Sequence, residues 1–441
     1  MKVDNLIRVK WEELTDKQRA KLLKELTFNI PDGQVAECYR CYPGALVELP
    51  RGAWHLVNHL DFHDRRAKPS LPELIFRGRL DDTGKDPRFA GQTDAVAAMF
   101  EHEQGMIVRP PGTGKTEIAL AFMARAKTRT LVLVHTKDVM DQWIDRISTG
   151  LNITPGVIRG GKGTVRQVTV AMVQTVRKWI NDGEHGEDWW RQFGCVILDE
   201  CHHGAAKSFE IVLNQLPAYY RFGFTASETR ADGLHPYLKH LIGPVIHKQK
   251  FNSSVEVKVK PVYTDFRYPY RGRWDWHPLL DELTTNGERN EKIANVIRRE
   301  LADGHSVLVL SRRVAQLEGI AERVENECEI LVGTRKIADR RRILADFRSG
   351  RVRCLLSTQL ADEALDVPRC DRVILTYPGK HEGRIIQQIG RALRQHPGKE
   401  NARIIDIVDR HVGVLRRQWQ LRKRTYHQLK IPIIKRRLMI R

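Results

Sequence analysis

Short apolar runs alternate along most of this chain with stretches whose apolar positions recur every three or four residues. The runs are Met106–Val108, Leu131–His135, Val168–Met172, Cys195–Asp199 and Arg221–Thr225, and helical periodicity fits Thr116–Ala126 and Lys137–Ile147. The rhythm returns after about residue 255 with VEVKVKPVY, a helical stretch Glu291–Leu301, and the runs Val307–Leu310, Cys354–Thr358, Arg372–Thr376 and Ile404–Asp409. Strands alternating with helices predict parallel sheets of the α/β class. The pattern therefore divides into two similar α/β lobes, 86–245 and 246–409, joined by a linker near Gly243–Ser254. Residues 1–85 read differently: a helix over Trp11–Leu26, a Cys/His-containing stretch, and a turn-rich segment, LDDTGKDPRFAG. No short-period repeat or low-complexity tract interrupts the chain.

Composition narrows the class. With 441 residues, 41% hydrophobic and 29% charged, the chain is an ordinary globular one with material for several cores. No apolar run reaches membrane-spanning length, and the charged start MKVDNLIRVKWEELTDK predicts no secretory signal. Seven scattered cysteines do not make a disulfide framework, and a cytoplasmic protein is expected. Charge is more informative. The net charge is +20, and residues 410–441 carry 11 Lys or Arg and no acid. A polyanion is the expected partner of such a tail, since each neutralised phosphate releases counterions. An anionic membrane would attract it too, and charge alone does not separate the two.

The sharpest chemical signal is RPPGTGKT, Arg109–Thr116, between a strand-like run and a helical stretch. This is the context of a phosphate loop: backbone N–H groups of Gly112, Thr113 and Gly114 and the helix N-terminus cradle phosphates, Lys115 reaches the β- and γ-phosphates, and the Thr116 hydroxyl holds Mg²⁺. The strict pattern wants Gly where Arg109 stands; Gly112 and Gly114 still supply the curvature. Downstream, CVILDECHH ends a buried-type run in two carboxylates. There Asp199 suits the Mg²⁺ shell and Glu200 suits polarising an attacking water. Adjacent Cys201, His202 and His203 point apart and lack a second ligand pair, which argues against zinc.

PPGTGKT followed by DECHH resembles the motor core of superfamily 2 helicases and translocases, and further motifs follow in the family's order. FAGQTDAV resembles the adenine-reading Q motif, with Gln92 as the base contact. LVLVHTKDVMDQW resembles motif Ia. VAMVQTV resembles the turn that grips a nucleic-acid strand through Gln174 and Thr175. FTASETRADG resembles motif III, with Ser227 in place of the usual Thr. In the second lobe VLVLSRRV resembles motif IV, and STQLADEALDVP resembles motif V, which implies that Thr358 touches a phosphate of the tracked strand and that Glu363 and Asp366 sit beside the nucleotide. QQIGRALRQ resembles motif VI, implying that Gln387 faces the γ-phosphate and that Arg391 and Arg394 are arginine fingers. DECHH together with the triplet Arg230-Ala231-Asp232 is most similar to the XPB and UvsW type, a DNA-directed branch with phage-encoded members. The resemblance implies two tandem RecA-like domains behind a small N-terminal accessory domain, with ATP and Mg²⁺ as cofactors. It further implies forked, branched or duplex DNA as substrate, a monomeric motor, and replication or recombination proteins as possible partners. A double-strand translocase that does not separate strands, and an ATP-gated clamp or annealing factor, are the competing expectations.

Three weaker features stand outside the motor. Cys38-x₂-Cys41 with His55, His59 and His63 has zinc-ligand types and spacing, but Pro43, Pro50 and Gly52 interrupt it. The alternative is a β-rich module with LVEL and AWHLV as strands about the Pro50-Arg51-Gly52 turn. Asp265–His277 interleaves aromatics, Trp274 among them, with Arg267, Arg271 and Arg273, which suits either stacking on exposed bases or plugging the lobe. In the basic tail, Trp419 and Tyr426 stand among arginines, and the tail is expected to contact duplex backbone.

Overall fold

Every apolar run read from residues 86–245 becomes a fully or largely buried strand of one eight-stranded sheet. The computed structural model describes residues 1–441 except 30–34, 43–44, 82–88, 111, 202–205, 227–234, 250–255, 325–327, 359–366, 368, 379–398, 400 and 435–441. In spatial order the strands of this sheet are Lys162–Thr164, Gly156–Arg159, Val168–Met172, Thr130–Val134, Cys195–Leu198, Tyr220–Thr225, Gln104–Val108 and Val245–Lys248. All neighbours pair in parallel except the outermost Lys162–Thr164. Two apolar layers cover its faces. One is built on the helix Lys115–Ala126, whose Ile118–Ala124 stretch is buried throughout, and the other on Trp179, Trp190, Phe193 and Phe209. Covered on both sides, the strands read as continuous apolar runs.

The strand Val245–Lys248 lies inside the expected linker, pairs with Gln104–Val108, and moves the division of the chain to Lys250/Phe251. It escaped notice because Val245–His247 are only half-buried and His247 and Lys248 are polar. The second unit, Phe251–Arg441, holds six parallel strands in the order Glu256–Thr264, Asn401–Asp409, Arg372–Leu375, Val307–Ser311, Cys354–Thr358, Cys328–Leu331.

The N-terminal residues form a five-stranded sheet and the helix Asp16–Leu26. The predicted helix over Trp11–Leu26 is split, because Thr15 caps Asp16–Leu26 in a reciprocal box with Gln18, leaving Trp11–Glu13 as a single 3₁₀ turn. LVEL is a strand as expected, whereas AWHLV is not: Arg51–Leu56 is a 3₁₀ helix. That helix docks on the first α/β sheet. Buried Arg51 donates to the carbonyls of Ala218 and Tyr219, and Gly52 lies so close to His240 that a Cβ would meet its carbonyl oxygen at 2.3 Å. The described N-terminal residues up to Asp81 thus belong to one unit with the first lobe.

His240 gives this junction a pH dependence. Burial, and then the neighbouring His55, pull its pKa down to about 4, and its Nε2 lies 3.1 Å from the Glu25 carbonyl. A folded pKa below the unfolded value favours the neutral ring. Its contribution is therefore complete above pH ~6.5 and is lost as pH falls through about 4, roughly 2 kcal/mol being gone by pH 5. Melting curves at pH 7.5 and 5 should show a smaller loss for His240→Gln than for the wild type; equal losses contradict the assignment.

The basic tail is corrected most. Residues Gly413–Gln428 form a helix with Leu415, Trp419, Arg422, Thr425 and Tyr426 buried. Trp419 and Tyr426 belong to the core of the second unit, and Ile433 bridges to Val259 at the sheet edge. Asp406, buried in the strand Asn401–Asp409, accepts from Arg422 at 2.8 and 2.9 Å and from the Tyr426 hydroxyl at 2.7 Å. Removing one partner of a buried pair strands the other charge, so Arg422→Ala should cost about 3–5 kcal/mol. A melt of the purified variant checks this, and an unchanged transition contradicts the clamp. Among the described residues no helix is long and apolar enough to cross a membrane.

Candidate ATP site and nucleic-acid contacts

The phosphate loop is shaped by two left-handed glycines. Gly112 and Gly114 have φ of +75° and +79°, and Gly114 caps the helix Lys115–Ala126. A Cβ on Gly114 would lie 2.0 Å from the Gln92 amide nitrogen. Thr113 turns its hydroxyl inward to the Pro110 carbonyl at 2.7 Å. Lys115 and Thr116 occupy the first turn of the helix, where backbone N–H groups and the helix dipole favour an anion.

Arg109, the departure from the strict pattern, is fully buried. Its guanidinium donates to the carbonyls of Ala90 and Gly91, at the entry to the Gln92 helix, and to that of Thr113 in the loop. Gln92 also donates to the Thr113 carbonyl, at 3.2 Å, while its own Oε1 accepts from the Asp81 N–H at 2.7 Å. Arg109 and Gln92 together fasten the start of the Gln92–His102 helix to the phosphate loop. Bridging segments this far apart is work that a glycine at 109 does not do.

Asp199 and Glu200 follow the strand Cys195–Leu198, which pairs with Thr130–Val134 and Tyr220–Thr225 in the middle of the sheet. Lys115 Nζ donates to Glu200 Oε1 at 2.7 Å, bringing the carboxylates against the loop. Glu200 adopts φ +44°, a strained backbone for a side chain of its kind and a common mark of working sites. The Trp143 indole N–H donates to Asp199 Oδ2 at 2.7 Å, and the Glu200 N–H donates to Oδ1 at 2.9 Å. Loss of water, with the Glu200 charge adding to it, pushes Asp199 up to about 6 against the pull of Lys115 and Trp143.

A hydroxyl from Thr116 and a carboxylate from Asp199 are hard oxygen donors, the set that Mg²⁺ takes. A carboxylate raised by desolvation is one that a nearby cation would relieve. The residues present therefore fit the ion.

The bonds from Gln92 to Thr113, from Lys115 to Glu200 and from Glu200 to Asp199 bring Gln92, the Gly112–Thr116 loop, Asp199 and Glu200 into one neighbourhood. Gln174 stands exposed at the start of the helix Val173–Asp182 and donates to the His135 carbonyl at 3.1 Å, with Thr175 half-buried beside it. In the second unit Thr358 ends a buried strand opposite Ser311. The aromatic loop divides between its two readings: Phe266, Tyr268, Tyr270 and Trp276 pack with Leu279, Leu283 and Leu415, while Trp274 is 94% exposed beside exposed Arg271. Arg273 lies in the 3₁₀ turn Arg273–Asp275. Arg230, Ser227, Glu363, Asp366, Gln387, Arg391 and Arg394 fall outside the described residues.

The zinc set is not assembled. His55 bonds Glu25 at 3.0 Å, His59 lies 2.7 Å from the Gln18 amide, and Cys41 is exposed on its strand. Among the described residues the one gathering of three potential ligands is Glu300, Asp303 and His305, and Glu300 is already held by Arg372 at 2.8 Å and Arg403 at 3.3 Å. Sequence reasoning missed Trp143 as the partner of Asp199. No local signal marks it, because the contact joins residues far apart in the chain.

A phosphate loop, an acidic pair at a central strand end and a second parallel α/β unit define an ATP-hydrolysing motor of the RecA-like type. Residues 88–230 match the family described as "Type III restriction enzyme, res subunit", and residues 288–396 match "Helicase conserved C-terminal domain". These two matches are the paired domains of a helicase core, and the chain is similar to the XPB-like members of superfamily 2. It is 26% identical over 346 residues to "DNA 3'-5' translocase XPB2" of Sulfurisphaera tokodaii, covering 68% of this chain and 77% of that one. It is equally 26% identical to "Probable helicase D10" of Escherichia phage T5, covering 77% and 75%. In fold it is similar to Saccharomyces cerevisiae Dbp5 bound to RNA and ADP BeF3, with a TM-score of 0.57 and 16% identity over 78% of this chain and 88% of that one.

Proposed function

We propose that the chain is an ATP-dependent DNA motor that moves 3′ to 5′ and unwinds or branch-migrates forked and branched DNA. The observation that carries the reading is the Lys115–Glu200 contact, which sets a catalytic-type carboxylate against the phosphate loop. The naming of its relatives as DNA translocases and helicases supports DNA as the substrate. Lys115 would bind the β- and γ-phosphates, Thr116 and Asp199 would hold Mg²⁺, and Glu200 would accept the proton of the attacking water. The bound ion would offset charge on the phosphate oxygens. Trp143 keeps one Asp199 oxygen oriented, and Gln92 with Arg109 couples base recognition to the loop. The resemblance to motifs V and VI assigns Gln387, Arg391 and Arg394 to the γ-phosphate and Glu363 and Asp366 to the nucleotide, all five lying outside the described residues. Gln174, Thr175, Arg230 and Thr358 grip the tracked strand, and Trp274 with Arg271 and Arg273 contacts unpaired bases.

A second reading, translocation along duplex without strand separation, is favoured by the word translocase in one relative's name. Strand displacement on forked, four-way and blunt duplexes, set beside displacement of a triplex-forming strand, separates the two. The first reading expects release of strands from forks and junctions; triplex displacement alone favours the second. A place in replication, recombination or repair, in the cytoplasm of a cell or of a phage's host, is in keeping with such an activity.

A further inference from the structure

The helix Gly413–Gln428 has two faces of opposite character. Leu415, Trp419, Arg422, Thr425 and Tyr426 face the core, and Arg416, Arg417, Lys423 and Arg424 fall on the other side within roughly a third of the helix circumference, with His427 among them. At 1.5 Å per residue this ridge is about 17 Å long from Arg416 to His427. A solvated helix face normally interleaves its charges, as that of Gly287–Ala302 does with Glu288 and Glu291 among its cations. Here no acid occurs from Arg410 to the last residue. Among the described residues none of the four cations is held by a carboxylate.

Taking DNA as the motor's substrate, we infer that this ridge is a second nucleic-acid contact, one that grips the phosphate backbone of duplex DNA. Charge favours a polyanion, and the placement of the aromatics selects its form. Trp419 and Tyr426, the two large aromatic side chains of the helix, are buried in the core, so the ridge offers cations with only the His427 ring beside them. Single strands are bound by combining cations with exposed aromatics, whereas duplex backbone needs cations alone on a firm element. The helix is firm because Arg422 and Tyr426 clamp it to Asp406. It is also distinct from the tracked-strand contact: it anchors on the strand Asn401–Asp409, three strands away from the strand that ends in Thr358, about 14 Å at ordinary strand spacing.

The test neutralises the outer face and leaves the buried one intact: Arg416→Gln, Arg417→Gln, Lys423→Gln and Arg424→Gln together in the full chain. Binding to a blunt duplex, to an oligothymidine strand and to phosphatidylserine vesicles is measured across a salt series, with melting temperature and DNA-free ATPase alongside. The expected result is weaker duplex binding with a salt slope flatter by about 0.9 per lost contact, hence about 2 to 4 for the set. Oligothymidine binding, melting temperature and basal ATPase should stay near wild type. An unchanged duplex slope overturns the inference, as does an equal loss on the single strand or a loss confined to vesicles. Should the fourfold variant fail to fold, the pairs 416/417 and 423/424 are tested separately, each expected to give about half the change in slope. A wild-type protein that binds no duplex at any salt contradicts the DNA reading itself; wild-type binding with an unaltered variant contradicts only the ridge.

Discussion

Glu200→Gln is expected to keep ATP and DNA binding and to lose turnover by about 10²–10⁴-fold, the scale of a lost general base. The amide keeps the shape of the side chain and can still accept a hydrogen bond from Lys115, so the present 2.7 Å contact need not be abandoned. What it cannot do is take a proton. It also removes a negative charge from the immediate surroundings of Asp199, one of the two influences that push that carboxyl up. Cation binding through Asp199 should therefore be maintained or improved, and nucleotide affinity should not fall. Single-turnover hydrolysis and equilibrium nucleotide binding, measured on one preparation, separate the two effects. Hydrolysis within a few-fold of wild type contradicts the role given to Glu200; nucleotide affinity lost along with turnover points instead to damage in the strained turn.

Arg391→Ala and Arg394→Ala should each lower DNA-stimulated hydrolysis by roughly 10³-fold or more, as expected for a lost arginine finger. Both stand in QQIGRALRQ at i, i+3 spacing, which on a helix sets two guanidiniums on one side. Fingers act on charge that develops in the transition state, so the loss should appear in kcat, with KM for ATP changing much less. Lysine at either position keeps the charge but not the planar fork, and should restore only part of the rate. Normal hydrolysis in both alanine variants with DNA present contradicts the finger role given to Arg391 and Arg394.

The catalytic core was legible in the sequence because its requirements are local. A phosphate loop needs glycine at defined places between a strand and a helix, and Gly112 and Gly114 show the positive φ that made them necessary. Parallel strands covered on both faces leave long apolar runs, so Thr130–Val134 and Cys195–Leu198 could be read almost to the residue. Strands at or next to the sheet edges carry no such mark, which is why Gly156–Arg159, Lys162–Thr164 and Val245–Lys248 went unread. The final helix was misjudged for another reason. Its eleven-cation neighbourhood hid a regular apolar stripe, and the clamp from Arg422 and Tyr426 to Asp406 turns a residue that counts as tail charge into part of the core. Long-range hydrogen bonds left no trace at all. Nothing in Trp143 announces Asp199 as its partner, and Arg109 registered as an exception to a pattern before its three carbonyl acceptors gave it a purpose.

ATP hydrolysis at the Lys115–Glu200 site is expected to drive work on DNA. The decisive measurement is steady-state ATPase of the purified full chain without nucleic acid, with a forked DNA and with a matched RNA fork. A low basal rate, strong stimulation by the DNA fork and little by the RNA are expected. Turnover that is indifferent to DNA, or that responds to the RNA fork alone, contradicts a DNA-driven motor.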